Sequence, residues 1–161
     1  MGGDFASLTD AVALDFADFR RLDRLGQVAV RLVIAALLGG LLGYQRELAG
    51  KDAGLRTYML VAVAAAFFIM VPQQEGWGTS DMSRVVQGLL AGIGFLGGGA
   101  ILKVTAEKEI HGLTTATGIW MTSAVGFGRI GTAVLGAILT FLILSALGRV
   151  EATLIKPHRS D

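Results

Sequence analysis

Apolar residues in this chain gather into five blocks: Val28–Tyr44, Thr57–Pro72, Val85–Leu102, Leu113–Gly128 and Ile130–Leu147. Each runs 16 to 18 residues, near the lower limit for a helix crossing a hydrocarbon core about 30 Å thick. All thirteen Asp and Glu residues lie outside the blocks, and of the fourteen Lys and Arg only Arg31 lies inside one. A soluble helical bundle does not segregate charge so completely, because each of its helices needs a wet face. The pattern predicts an all-α polytopic membrane protein with about five transmembrane helices. Blocks four and five are parted only by Arg129, so their turn is expected to borrow residues from GFGRIG, where Gly126, Gly128 and Gly131 permit a tight reversal.

Ahead of the first block, Phe5, Leu8, Val12, Phe16, Phe19 and Leu22 follow steps of three and four. That spacing suits an amphipathic helix lying on the membrane surface. Asp15 and Asp23 intrude on its apolar face, as a polar leader would also allow. The stretch is acidic first and basic later, unlike a cleaved signal. The expected organisation is an N-terminal amphipathic segment over 1–27, a transmembrane domain over 28–148 and a short cytoplasmic tail over 149–161.

Composition agrees with the pattern: 53% of the residues are apolar, and 23 are glycine. With no cysteine, disulfides and thiolate metal sites are unavailable. A net charge of +1 gives no reason to expect a nucleic-acid partner; the lipid bilayer is the expected surrounding. If five helices alternate, one side holds eight Lys and Arg (Arg46, Lys51, Arg56, Lys103, Lys108, Arg149, Lys156, Arg159) and the other five (Arg20, Arg21, Arg24, Arg84, Arg129). The positive-inside bias places the first group in the cytoplasm, with the N-terminus outside. Tyr44 and Tyr58 then flank the first inside loop as interfacial anchors, while Trp120 falls in mid-segment and packs against protein or lipid.

Block three contains GIGFLGGGAILK, with G-x-G-x-x-G at Gly92, Gly94 and Gly97. A dinucleotide site would need this motif between a strand and a helix, with an acidic residue about twenty positions on. The corresponding stretch reads TTATGIW, so nucleotide binding is rejected. Gly88, Gly92, Gly94, Gly97, Gly98 and Gly99 instead form a small-residue face on which another helix can close to backbone contact. That reading is preferred to a helix broken near Gly97–Gly99 whose freed backbone groups line a cavity. The same face offers a self-complementary patch, so a homodimer is expected.

Two loops on the cytoplasmic side share a faint repeat: a glycine-rich helix end, a basic residue, a polar loop, then GLRT or GLTT. In order, GLLGYQRELAGKDAGLRTYMLVA, VVQGLLAGIGFLGGGAIL and HGLTTATGIWMTSAVGFGRIGTAVLGAILT resemble the signature blocks of the MgtC/SapB family of bacterial inner-membrane proteins. The resemblance spans Arg31 to Gly148. It implies five transmembrane helices and a role in growth or survival when magnesium is scarce. In some pathogens it implies virulence inside host cells, and restraint of the F-type ATP synthase is another role ascribed to the family. Members usually carry Glu-Arg at the inner end of the first helix, where this chain has Gln45-Arg46. Many also carry a soluble C-terminal domain, so this chain reads as the short, membrane-only form.

Candidate site residues follow. Gln45, Arg46, Glu47, Arg56 and Thr57 bracket one short loop beside the positive end of the second helix, suited to an anion, a lipid headgroup or an acidic partner segment. Plain orientation by positive charge is the competing reading. Arg31 is an intramembrane charge that either snorkels or pairs with an N-terminal Asp. Thr114, Thr115, Thr117, Thr122 and Ser123 stripe the fourth helix with hydroxyls, most of which are expected to bond their own backbone or a neighbour. Glu107 and His111 are too few for zinc, and no mid-membrane carboxylate awaits magnesium. No metal site, cofactor or catalytic set can be assembled, so no enzyme is expected. Two functions remain open: a membrane regulator or interaction protein in adaptation to low magnesium, and a small transporter or channel for Mg2+ or another solute.

Overall fold

The computed structural model describes residues 22–104 and 109–154, with side chains over 26–101 and 111–150. The chain divides into two units at Arg31/Leu32, and the packing described below lies within the second. Each apolar block becomes one helix: α1 (Leu22–Leu48), α2 (Leu55–Gln74), α3 (Thr79–Gly99), α4 (Leu113–Phe127) and α5 (Ile130–Leu154). Two short strands, β1 (Leu102–Val104) and β2 (Glu109–His111), pair between α3 and α4. The described residues are all-α apart from this hairpin. Of the surface helix expected through Phe5, Leu8, Val12, Phe16, Phe19 and Leu22, Leu22 falls in α1, and the others, like Glu107, lie outside the described residues.

Helix ends differ from block ends where charge or glycine misleads hydropathy. Leu22, Asp23 and Arg24 belong to α1, and Arg149 and Glu151 belong to α5, because a helix continues past the charges that end an apolar run. Helix α2 carries Pro72 inside it and stops at Gln74. Helix α3 ends three residues before Leu102, the expected end. Gly97–Gly99 contribute little helix propensity, and the Ala100 amide closes the end on Leu96 and Gly97 carbonyls at 3.1 Å each. Leu102 instead pairs with His111, and Lys103 with Ile110, in an antiparallel register. The helix is continuous to Gly99 rather than broken within the glycine run.

Gly112 makes the return into α4. Its φ is +87°, a left-handed conformation that favours glycine, and a Cβ there would stand 1.8 Å from the Ala100 carbonyl oxygen. The α4–α5 connection is only Gly128 and Arg129. Gly128 is extended (φ −64°, ψ 158°), so this reversal uses no left-handed glycine.

Gly126, expected in that turn, serves packing instead: its missing Cβ would lie 2.2 Å from the Ala62 carbonyl oxygen. One contact earlier, a Cβ on Gly118 would meet the Tyr58 hydroxyl at 2.1 Å. Tyr58 with Gly118 and Ala62 with Gly126 advance in the same direction, so α2 and α4 run parallel. On the other side of α2, a Cβ on Gly39 would lie 2.6 Å from the Tyr58 carbonyl oxygen, and one on Gly43 would lie 2.8 Å from the Leu55 Cα. Hence α1 is antiparallel to α2. Small residues therefore bring α1, α2 and α4 to backbone contact, as bundles in lipid require when no hydrophobic drive favours one apolar face over another.

The expectation that α3 supplies this contact is corrected within the chain. A Cβ at Gly88, Gly92, Gly94, Gly98 or Gly99 would meet nothing within 4 Å, and only Gly97 touches a neighbour, Ala116 of α4. The close-packed glycines are spread singly through α1 and α4, while the dense run faces outward. Leu42, Tyr58, Val61, Ile93, Ile119, Val125 and Ala137 form the core.

Outside that core the surface is oily. Phe67, Phe68, Phe95, Leu135, Leu139 and Ile143 are among the exposed large side chains, an apolar surface that water would not tolerate on a monomer. Among the described residues, three helices are long and apolar enough to cross a membrane: α1 over Gly26–Leu48, α2, and α5 over Ile130–Val150. Helix α4 has 15 residues and rises about 22 Å. It packs against α2, α3 and α5, and buries Thr115, Thr122 and Ser123.

Candidate functional site

Polar side chains converge where α1 ends and α2 and α4 begin. Gln45, Arg46 and Glu47 are consecutive, and helical rotation of about 100° per residue sends each toward a different neighbour. The Gln45 amide donates from Nε2 to Ser145 Oγ at 2.5 Å and to the Phe141 carbonyl at 3.4 Å, tying α1 to α5. Arg46 donates from Nη2 to Thr114 Oγ1 at 3.1 Å, tying α1 to the first turn of α4. Glu47 accepts the Leu55 amide at 3.0 Å, and so caps α2, whose own N-cap residue is the side-chain-free Gly54.

Arg46 is only 6% exposed. Arg56 and Thr57, in the first turn of α2, are exposed. The expected single cytoplasmic cluster is thus divided: Gln45, Arg46 and Glu47 hold helices together, whereas Arg56 and Thr57 face outward. Tyr58 is a further correction. Expected at the interface, it is completely buried, held between Gly39 and Gly43 on one side and Gly118 on the other. Its hydroxyl lies near enough to the Arg46 guanidinium to interact electrostatically, but the geometry falls short of a hydrogen bond. Gln45 Oε1, Arg46 Nε, Tyr58 Oη and Thr140 Oγ1 are buried without a hydrogen-bond partner.

Elsewhere on α4, Thr117 bonds the Leu113 and Thr114 carbonyls, Thr122 that of Gly118 and Ser123 that of Trp120. These hydroxyls serve their own helix. Thr115 is buried, and Trp120 is 46% exposed on the outer side of α4. Arg31 lies within α1, half-buried. Gly88 and Gly92, with Leu60, Phe68, Val85 and Leu96, line an apolar groove of about 590 Å³ between α2 and α3.

Sequence reasoning missed Tyr58, Ser145 and the contact glycines of α1 and α4. Gly39 and Gly43, four apart, carry the small-xxx-small spacing, a legible signal outweighed by the denser run in α3. Ser145 has no signal in one sequence.

An all-helical bundle with an oily exterior, glycine-mediated helix contacts and polar ties at one end defines a membrane protein. Comparison narrows the class: the profile of the MgtC family matches residues 32–153. The chain belongs to this family. It is 40% identical over 139 residues to protein SrpB of Synechococcus elongatus, covering 77% of this chain and 76% of SrpB. It is 33% identical over 143 residues to the putative magnesium transporter YhiD of Escherichia coli K12, covering 80% of this chain and 64% of YhiD. It is 43% identical over 102 residues to protein MgtC of Brucella abortus, covering 63% of this chain and 42% of that relative. No solved structure matches.

Proposed function

We propose that this chain is a multi-pass protein of the bacterial inner membrane, with its N-terminus outside and its C-terminus cytoplasmic, that acts by contact rather than catalysis in adaptation to low magnesium. Family membership and the eight-to-five distribution of Lys and Arg support this reading. One observation carries the choice of a regulator or interaction protein: Gln45, Arg46 and Glu47 each bond a different helix, and these bonds hold the bundle in one arrangement. Contacts with a protein partner then fall to two places. Arg56 and Thr57 present a cation and a hydroxyl at the cytoplasmic end of α2. The uncovered glycine face of α3 suits a second copy, giving a homodimer. A membrane partner such as ATP synthase, and a part in virulence, follow from the family resemblance alone. Residues 28–148 carry the function in this reading, between the segment 1–27 and the tail 149–161.

The second reading, a transporter or channel for Mg2+ or another solute, is favoured by the description of YhiD as a putative magnesium transporter. One experiment separates them. A bacterial strain lacking the gene is complemented for growth in low magnesium with the wild-type chain and with Arg56→Ala, and the purified chain is assayed for magnesium flux in protein-only vesicles. A regulator restores growth without flux and loses complementation with Arg56→Ala at normal protein level. Flux in the vesicles establishes the transporter.

A further inference from the structure

Two positive features abut in this bundle. One is the N-terminus of α4, where the amides of Leu113, Thr114 and Thr115 need acceptors from outside the helix and the macrodipole is positive. Its N-cap, Gly112, supplies no side-chain cap, and its first turn holds no acidic residue. The other is Arg46, 6% exposed, whose Nη2 sits 3.1 Å from Thr114 Oγ1 in that same turn. Among the described residues no carboxylate pairs with Arg46, and its Nε has no partner. A buried guanidinium facing a helix N-terminus is strongly unfavourable unless an anion balances both.

The remaining groups are also donors. Tyr58, wholly buried, brings an unpartnered hydroxyl near the guanidinium and one turn along α4 beside Gly118. Thr114 Oγ1 accepts from Arg46, which leaves its own proton to give. Thr114 is exposed, so the cluster opens outward at that edge. A guanidinium, two hydroxyls and helix N-terminal amides suit a ligand carrying several acceptor oxygens, and the neighbouring carboxylate of Glu47 is engaged with the Leu55 amide.

We propose that Arg46, Tyr58, Thr114 and the first-turn amides of α4 form a binding site for a phosphate-type oxyanion. Arg46 lies two residues from the end of the membrane span Gly26–Leu48, so the site sits at the level of phospholipid headgroups. The phosphate comes either from an anionic lipid or from solution, with the same chemistry at the protein. The site does not depend on the regulatory reading above.

The test uses the full chain. Thermal unfolding in neutral detergent is followed as inorganic phosphate replaces chloride at constant ionic strength. In parallel, lipid retained from nanodiscs of phosphatidylcholine, with or without phosphatidylglycerol, is identified by native mass spectrometry. Wild type, Arg46→Gln and Tyr58→Phe are compared. A saturable rise in unfolding temperature with phosphate identifies a free anion, and selective retention of phosphatidylglycerol without that rise identifies a lipid. Arg46→Gln is expected to abolish the response. Tyr58→Phe removes a hydroxyl that has no partner in the empty site, so it folds at least as well without anion yet binds about tenfold more weakly. Neither response in wild type, or a response unchanged by Arg46→Gln, overturns the site. Where Arg46→Gln does not accumulate, an unchanged response in Tyr58→Phe overturns it alone.

Discussion

Gly126→Ala tests the claim that backbone contact between α2 and α4 organises the bundle. The new Cβ would lie 2.2 Å from the Ala62 carbonyl oxygen and 2.9 Å from its carbonyl carbon and Cα, all below the 3.0 Å that real Cβ contacts observe. These are backbone atoms in mid-helix, so no rotamer change relieves them, and the helices must separate. Overpacking of this kind costs roughly 1–3 kcal/mol, and separation at Gly126 also loosens Tyr58 against Gly118. The helix propensity gained by alanine offsets about 1 kcal/mol. A net loss of roughly 1 kcal/mol lowers the unfolding temperature by about 2–4 °C on the scaling of globular domains of this length. Gly92→Ala is the matched control for packing within one chain: its Cβ meets nothing of its own chain within 4 Å, so the stability of the monomer is unchanged or rises. Heating in mild detergent followed by size-exclusion chromatography reads both. Equal stability of Gly126→Ala and wild type, or an equal fall in Gly92→Ala, refutes the assignment of the contact.

Three further outcomes are expected. Gly112→Ala combines the left-handed φ with a Cβ 1.8 Å from the Ala100 oxygen, and should lose about 3 kcal/mol or more, visible as poor accumulation of folded protein. Glu47→Ala removes the acceptor for the Leu55 amide and should cost about 1 kcal/mol in unfolding measurements, whereas Glu47→Gln keeps an acceptor and most of the stability. Cysteine at exposed Lys51 should be labelled only from the cytoplasmic side and cysteine at Gly78 only from outside; outside labelling at position 51 reverses the topology.

The five helices were legible because lipid imposes a simple rule, that charge leaves the apolar spans, and this chain obeys it except at Arg31. The site was legible in part. Gln45, Arg46 and Glu47 stood out by type and place, but their partners lie 68 residues away at Thr114 and 100 away at Ser145, and hydropathy carries no information about such pairing. Tyr58 shows the same limit: a tyrosine near a span end reads as an anchor until the glycines that seat it are known to face it. The glycines of α3 misled by density. What matters is where a neighbour's backbone passes, and that is set by the tertiary arrangement rather than by how many glycines a helix holds.

The parallel seating of α4 on α2 bears on how the chain is assembled. Hairpins of successive helices can form as soon as their second member enters the bilayer, but α2 and α4 are separated by the whole of α3 and a β-hairpin. Synthesis order places α2 in the membrane first, with α1 packed along one side through Gly39 and Gly43. When α4 follows, its buried Thr115, Thr122 and Ser123 and its short length make it a poor independent span, and it gains a stable place by docking beside a helix already installed. Biogenesis therefore has a direction: α1 and α2 template the arrival of α4, and a chain begun at α3 would offer that helix no seat.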